Sequence, residues 1–148
     1  MYKFIKRDYP EHRVTEKDIH EVEKTWGFQF PPVLRDFYLK HNDADIYSCY
    51  MEWDDGFECG MAQFYPLKYG DCPVEEVISM HRENEFFPKN LIPIGYEGGG
   101  NDFCWDQETG EVYFCNYEAC DDPLEPDYIC ESVEELFRLM EESCDKKA

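Results

Sequence analysis

Three consecutive glycines, residues 98–100, separate two apolar runs in NLIPIGYEGGGNDFCWD. A glycine-rich loop cradles a phosphate when it leads into a helix N-terminus and a lysine or hydroxyl lies behind it. Here Glu97 and Asp102 flank the glycines, and the residues that follow alternate as in a strand. Two carboxylates would repel a phosphate, so the segment predicts a turn that reaches positive φ, or a backbone packed closely under aromatic rings.

The histidines and cysteines show no motif for catalysis or metal binding. None of the four histidines lies at motif spacing from a serine or cysteine, and a strand cysteine with no activating neighbour is usually inert. The two cysteines closest in sequence, Cys115 and Cys120, have no second pair at a matching interval, unlike a zinc finger. WDDGFE and HNDADIY lack the ligand order of a calcium loop and are interpreted as solvated turns. We predict no catalytic residue, no metal ligand and no cofactor.

Carboxylates are abundant, with 34 Asp and Glu residues in the chain. A glycosidase-type pair therefore carries almost no signal, because any geometry can be imagined. Trp53 beside Asp54, Asp55 and Glu58 is more informative, since an aromatic ring rimmed by carboxylates suits a surface rich in Lys and Arg. The alternative interpretation is a core tryptophan beside an ordinary polar hairpin turn.

The formal charge of −20 is unevenly distributed. The stretch up to His41 has eight basic and seven acidic residues, and the remainder has six basic and twenty-seven acidic ones. Such a field disfavours nucleic acid and anionic membranes as partners and favours fast capture of a basic protein. The same charge also serves solubility, and the sequence alone does not decide between these roles.

Length and composition predict one folded domain over residues 1–148. The aromatic content of 17% is too high for a disordered acidic tail. The eight cysteines first suggest a secreted disulfide scaffold, but MYKFIKRDYPEHR has no apolar signal run, and no stretch approaches the length of a membrane span. Cys49, Cys59, Cys104 and Cys115 lie in strand-like runs, which is typical of buried thiols. We predict a cytoplasmic protein with free thiols.

Local signals predict two helices near the N-terminus. Thr15 with Asp18 resembles a capping box, and Gly27 is placed to end that helix. A proline pair opens the second helix in FPPVLRDFYLKHND, and Asn42 closes it.

Two further helices are predicted later in the chain. PVEEVISMHRENEFF reads as a third helix, and Ser132 with Glu135 resembles a second capping box that opens the last one. The predicted inner face of the last helix is Val133, Leu136, Phe137 and Met140.

The segment IYSCYMEWDDGFECGMAQFYPL predicts a hairpin with two conceivable registers. A two-residue DG loop would oppose Trp53 to Glu58. A three-residue DDG loop opposes Trp53 to Phe57 and Met51 to Cys59, and we favour it because it keeps one face apolar throughout.

The second half predicts further antiparallel strands. Pro93 should limit the strand NLIPIGYE to a sheet edge or a strand end. DFCWD places Phe103 and Trp105 on one side, QETG turns the chain, and EVYFCNY returns with Val112 and Phe114 facing those rings. YEACDDPLEPDY is predicted to be a loop. The order of elements indicates an α+β fold in which helices pack against a mainly antiparallel sheet.

Taken together, three segments resemble the SUKH superfamily. TWGFQFPPVLRDFYLKHND is similar to its opening helices, NLIPIGYEGGGNDFCWDQETGEVYFCNYE to its central signature, and ICESVEELFRLM to its closing helix. The likeness covers the chain almost end to end, and the central segment is the most specific part. The chain departs from the family in being rich in cysteine, in having Asp43 after Asn42 where glycine is common, and in Asp102, where an aromatic or small polar residue would be less surprising.

The resemblance implies an α+β fold and a non-enzymatic role. Bacterial members are mostly immunity proteins that bind and neutralise a polymorphic toxin, often a nuclease, and fungal relatives regulate cell-wall synthesis. We therefore expect an immunity protein whose partner is a cognate toxin with a basic surface. A regulatory protein-binding module is the alternative, and a hydrolase is the least favoured reading. The partner-binding residues predicted from charge and loop placement are Trp53, Asp54, Asp55, Glu58, Glu97, Asp102, Asp121 and Asp122.

Overall fold

The computed structural model describes residues 2–53, 57–84, 87–117 and 126–147, without the side chains of 52, 53, 57–59 and 145–147. Four helices and nine short strands make up this part of the chain, together with a 3-10 helix at Pro10–His12. The helices are α1 (Glu16–Trp26), α2 (Pro32–His41), α3 (Val74–Arg82) and α4 (Val133–Lys147). The strands are β1 (Ile5–Arg7), β2 (Asp45–Ile46), β3 (Cys49–Trp53), β4 (Phe57–Met61), β5 (Gln63–Phe64), β6 (Leu91–Tyr96), β7 (Asp102–Asp106), β8 (Val112–Cys115) and β9 (Asp127–Cys130).

The first helix has the ends that its sequence predicts. The backbone N–H of Asp18 donates to Thr15 Oγ1 at 3.2 Å, and the N–H of Thr15 donates to Asp18 Oδ2 at 2.9 Å, which completes the capping box. Gly27 closes α1 in the left-handed region at φ 76°. The buried Glu23 then fastens α1 to α2, because its carboxylate accepts hydrogen bonds from Arg35 Nη1 and from the N–H of Phe30, both at 2.8 Å.

The third helix is shorter than predicted and ends at Arg82. The chain then turns, with the N–H of Phe87 donating to the carbonyl of Asn84, and Pro88 disfavours helical backbone at the residue before it. At the start of α4 the N–H of Glu135 donates to Ser132 Oγ at 3.1 Å, which is one half of the predicted capping box, while the Glu135 carboxylate pairs with Arg138. The four residues predicted for the inner face of α4 are all buried: Val133, Leu136, Phe137 and Met140.

All strand pairings are antiparallel in the described residues, as the α+β prediction requires. β1 pairs with β2, β3 pairs with β4, and the main sheet has the order β5-β6-β7-β8-β9. The favoured hairpin register is confirmed, because Trp53 opposes Phe57 and Met51 opposes Cys59. Phe103 opposes Phe114 and Trp105 opposes Val112 in the main sheet, also as predicted.

The prediction that Pro93 lies at a sheet edge or strand end is wrong. β6 lies between β5 and β7, and Pro93 pairs with Cys104 in its interior. The register shifts between Pro93 and Gly95, and β5 pairs with β6 only at Gly95 and Tyr96. A bulge therefore accommodates the missing N–H of the proline within a central strand.

The main core lies between the helices and one face of the sheet. Phe103 and Trp105 point into it, whereas Cys104 between them belongs to a small cluster on the opposite face. The glycines at 98–100 form the turn between β6 and β7, where Gly100 adopts φ 91° and its N–H donates to the carbonyl of Glu97 at 3.0 Å. Every described helix is too short or too polar to cross a lipid bilayer.

Candidate partner-binding site

A cleft of about 350 Å³ opens beside the end of β6. Its walls come from the 3-10 helix and the segment before it, the α2–β2 turn with the first residue of β2, the stretch that begins with β5, the loop before α3 and the last residue of β6. Within the described residues no lysine or arginine lines this cleft. Its charged, histidine and aromatic lining residues are Tyr9, His12, Asp43, Asp45, Asp71 and Tyr96.

Asp43 lines the cleft and has a left-handed backbone conformation, with φ 64°. Aspartate tolerates this region better than most residues. Its Oδ2 lies 2.7 Å from His12 Nδ1, and the His12 ring stacks on Tyr69 with centroids 5.5 Å apart. Gly70 faces the same carboxylate at φ 85°, and a Cβ there would lie 2.8 Å from Asp43 Oδ1. A side chain at position 70 would therefore displace Asp43 and strain the backbone.

The buried Asn42 joins the segments that carry the cleft. Its Nδ2 donates to the carbonyls of His12 at 2.8 Å and Leu67 at 2.9 Å, and its Oδ1 accepts from the N–H of Leu67 at 2.8 Å. Three hydrogen bonds from one side chain thus hold the end of α2 against the N-terminal segment and the loop before α3. The asparagine that the sequence assigns to helix closure also fixes the shape of the cleft.

Two tyrosines, Tyr9 and Tyr96, line the cleft with apolar rings, and their hydroxyl groups remain uncharged. Tyr9 donates its hydroxyl to Asp45 Oδ2 at 2.6 Å, and this hydrogen bond raises the pKa of the half-buried Tyr9 above its usual value. Burial, followed by the neighbouring Cys72 and aspartates, raises the pKa of Tyr96. Both phenols therefore stay protonated near neutral pH, and the negative charge of the cleft comes from its carboxylates.

Cys72 at the rim is poorly suited to nucleophilic catalysis. Partial burial raises the pKa of its thiol, and Glu76, Asp102 and Asp71 raise it further. A catalytic cysteine nucleophile is activated by positive neighbours that stabilise its thiolate, which is the opposite arrangement. A cleft of carboxylates and tyrosine faces suits instead a cationic side chain, which makes charge-assisted hydrogen bonds to the acids and stacks on the rings.

Several of the basic side chains are already engaged in ion pairs within the protein. Asp71, in contrast, is exposed and makes no hydrogen bond or ion pair with the described part of the chain. The described lining of the cleft therefore supplies no lysine or arginine to these acids, and the nearby Arg7 stacks on the Tyr9 ring, with its guanidinium carbon 5.1 Å from the ring centroid. The paired basic residues are Arg35 with Glu23 (2.8 Å), Lys40 with Asp36 (3.1 Å), Lys68 with Asp18 (3.2 Å), and Arg138 with Glu135 and Glu142.

Comparison with known proteins assigns the fold to a family. The model of the SMI1/KNR4 family (SUKH-1) matches residues 13–139, which include both N-terminal helices, the whole main sheet and the start of α4. The chain belongs to the SUKH-1 family. It is also similar to the SPbeta prophage-derived uncharacterized protein YokK of Bacillus subtilis (strain 168), with 27% identity over 147 residues, covering 86% of this chain and 76% of that protein.

Of the residues predicted from sequence to bind a partner, Glu97 and Asp102 are described with their side chains, and neither lines the cleft of this SUKH-1 protein. Trp53 and Glu58 lie in the β3–β4 hairpin, and their side chains are outside the described part. Glu97 is half-buried in the β6–β7 turn, where its carboxylate accepts from Asn101 Nδ2 at 2.8 Å. The remaining loop acids of the prediction lie outside the described residues: Asp54, Asp55, Asp121 and Asp122. The role of these residues in binding stays a prediction.

Asp102 is buried, with 3% of its surface exposed, and serves as an internal acceptor. Tyr65 and Tyr117 donate their hydroxyls to its two oxygens, the latter at 2.5 Å, and His81 Nε2 lies 3.1 Å from Oδ2. The charge on Asp102 raises the pKa of both tyrosines, after the larger effect of burial. This network ties β7 to α3, to the segment after β5 and to the end of β8.

Sequence reasoning missed the cleft acids. HNDADIY does contain Asp43 and Asp45 two residues apart, which was the available signal, but it indicated only a solvated turn. Asp71 lies in a separate stretch, and only the fold brings it to the same cleft.

Proposed function

We propose that this SUKH-1 protein is a cytoplasmic immunity protein that neutralises a cognate polymorphic toxin by covering its working surface. Membership of SUKH-1 supports the proposal, and so does the similarity to a prophage-derived protein. The observation that carries it is the cleft, which combines three carboxylates with two neutral tyrosine rings and has no compensating lysine or arginine in its described lining.

The cleft complements the surface of a nuclease toxin. An enzyme that cleaves nucleic acid exposes lysine and arginine side chains to bind phosphate. One such side chain would enter the cleft between Asp43, Asp45 and Asp71, with Tyr96 against its apolar stem. Occupying these basic groups removes the binding energy for nucleic acid, so occlusion needs no chemical step.

The charge of the whole chain would accelerate this encounter. A protein of charge −20 attracts a basic partner over roughly a Debye length, and steered association reaches about 10⁸–10⁹ M⁻¹s⁻¹ at low salt. The association rate should therefore fall steeply as salt is added. A rate that is the same at low and high salt would contradict steering while leaving occlusion intact.

The deciding experiment is co-expression with the product of the neighbouring gene, followed by pull-down and a toxicity assay. We expect a stable complex and survival of cells that die when the neighbour is expressed alone. An unrelated basic nuclease serves as the control for non-specific attraction and should not be neutralised. Complex formation without protection would contradict the immunity role and favour a regulatory binding module, and the absence of any complex would contradict both.

A further inference from the structure

Two cysteines far apart in sequence meet between β3 and α4. Cys49 Sγ and Cys144 Sγ are 3.8 Å apart, separated by 95 positions in the chain, and both are reduced thiols in this structure. Formation of a disulfide requires the sulfurs to approach to about 2.05 Å. The two sulfurs must therefore move closer together before the bond can form.

The two thiols differ in their access to solvent. Cys49 is fully buried and donates its S–H to the carbonyl of Tyr47 at 3.1 Å. Cys144 is partly exposed on α4. A small oxidant therefore reaches Cys144 first, and Cys49 is positioned behind it to react with the oxidised sulfur.

We propose that Cys49 and Cys144 are a redox modification site, which a two-electron oxidant of the peroxide class converts into a disulfide. The Cys144 thiolate attacks one peroxide oxygen, giving a sulfenic acid and, for hydrogen peroxide, one water. The Cys49 sulfur then attacks the sulfenic sulfur, the S–S bond forms, and the hydroxyl leaves as a second water. Two thiols and one hydrogen peroxide thus give one disulfide and two waters.

A second cysteine pair provides an internal comparison. Cys104 Sγ and Cys115 Sγ lie 3.7 Å apart on neighbouring strands, but both side chains are completely buried. Burial also raises the pKa of Cys104 well above its ordinary value, so it forms little thiolate. The separation of the sulfurs is almost the same in the two pairs, and access to solvent distinguishes them.

The disulfide would fasten the β3–β4 hairpin to the core. This hairpin is a two-stranded sheet of its own, hydrogen-bonded only within itself as a sheet in the described part of the chain. Its first strand rests on α4, where Cys49 meets Cys144. A covalent link across 95 positions restricts the unfolded chain strongly. Oxidation is therefore expected to raise the midpoint of thermal unfolding by about 10 °C.

The test is oxidation of the purified full chain with hydrogen peroxide, followed by alkylation, protease digestion and mass spectrometry. Every sample carries Cys59→Ser, because the register places Cys59 diagonally from Cys49 on the next strand. We expect a peptide linked through Cys49 and Cys144, two hydrogens lighter than its parts, and a higher unfolding midpoint that dithiothreitol reverses. Recovery of Cys144 as sulfinic acid with Cys49 still reduced would overturn the proposal.

Two further variants separate the effect of the Cys49–Cys144 disulfide from other effects of oxidation. With Cys144→Ser the rise in the unfolding midpoint should disappear, whereas with Cys115→Ser it should persist in full. Persistence of the rise with Cys144→Ser would overturn the proposal, as would its loss with Cys115→Ser in a protein that still folds.

Discussion

At the scale of the residue, aspartate has two different roles in this protein. Asp102 is enclosed and accepts hydrogen bonds from two tyrosines and a histidine, whereas Asp71 is exposed and carries an uncompensated charge. Their burial, rather than their chemistry, assigns one to the stability of the fold and the other to the surface. In a chain with 34 acidic residues, partners within the fold are what identify a structural carboxylate.

Replacement of Asp102 by asparagine should destabilise the fold. The amide has one acceptor oxygen in place of two, and its NH₂ group cannot accept from Tyr65 or Tyr117, so only one of the two phenols can still donate to this side chain. We expect a loss of about 2–4 kcal/mol in the free energy of unfolding, measured in urea. Asp71→Asn makes the same chemical change at an exposed position and should alter stability by less than about 0.5 kcal/mol. Equal losses in the two variants would contradict the assignment of Asp102.

At the scale of the element, the glycines are not equivalent. Gly70 requires both a positive φ of 85° and empty space, because an added Cβ would lie 2.8 Å from Asp43 Oδ1 and 2.9 Å from Pro66 Cγ. Gly98 has a φ outside the positive region and nothing within 4 Å of such a Cβ. Only the first of these positions depends on having no side chain.

Gly70→Ala should therefore cost about 1–3 kcal/mol in the free energy of unfolding, with Asp43 displaced from the cleft. Gly98→Ala, in the β6–β7 turn, is the matched control and should be neutral or slightly stabilising. Urea unfolding of the two variants checks both expectations. An equal change in the free energy of unfolding for both variants would contradict the need for a glycine at position 70.

The elements that could be predicted from the sequence are those with local signals. Thr15 and Gly27 mark the ends of α1 through their own hydrogen bonds and φ, and the apolar alternation around the DDG loop fixes the β3–β4 register. β1, β2 and β5 have two or three residues each and exist only because a distant segment pairs with them. β9 likewise begins at Asp127, inside a segment whose prolines and acids predict a loop. The cleft escaped prediction for the same reason, because its walls come from five separate stretches.

At the scale of the whole molecule, the large negative charge favours binding of a basic partner but lowers the stability of the fold. A charge of −20 attracts a basic partner but also repels itself, and that repulsion grows as pH rises above the isoelectric point of about 4.3. Association with a basic partner relieves the repulsion. We therefore expect charge repulsion to lower the free energy of unfolding of the free protein, and binding of a basic partner to restore part of that loss.

Stability should accordingly increase as pH falls from 8 toward about 5, and Glu75 contributes to this trend. Burial raises the pKa of Glu75 above its unfolded value of 4.5, and its Oε1 has no hydrogen-bond partner within the described chain. The folded state then binds more protons than the unfolded one between these two pKa values, so the penalty is complete above the folded pKa and is relieved as pH falls through it.

Glu75→Gln removes this ionisation and keeps an acceptor for the N–H of Lys68. It should stabilise the protein at pH 8 by roughly 0.5 kcal/mol, a small gain because partial exposure screens the charge, and this gain should disappear only near about pH 3.5, below both pKa values. Thermal unfolding across this pH range measures the difference. An equal gain at both pH values would show that packing, and not ionisation, is responsible.

The cleft and the overall field can be separated by variants of equal charge. Asp45→Asn with Asp71→Asn removes two charges inside the cleft, and Glu108→Gln with Glu134→Gln removes two from exposed positions outside its lining. Both pairs reduce long-range steering equally, so the association rate with the toxin should fall by a similar small factor in each. Only the cleft pair loses direct contacts with the entering cation, so its complex should dissociate about tenfold faster or more. Surface plasmon resonance resolves the association and dissociation rates. Identical dissociation rates for the two double variants would show that the partner binds elsewhere. The acids between β3 and β4, Asp54 and Asp55, would then be the next positions to replace.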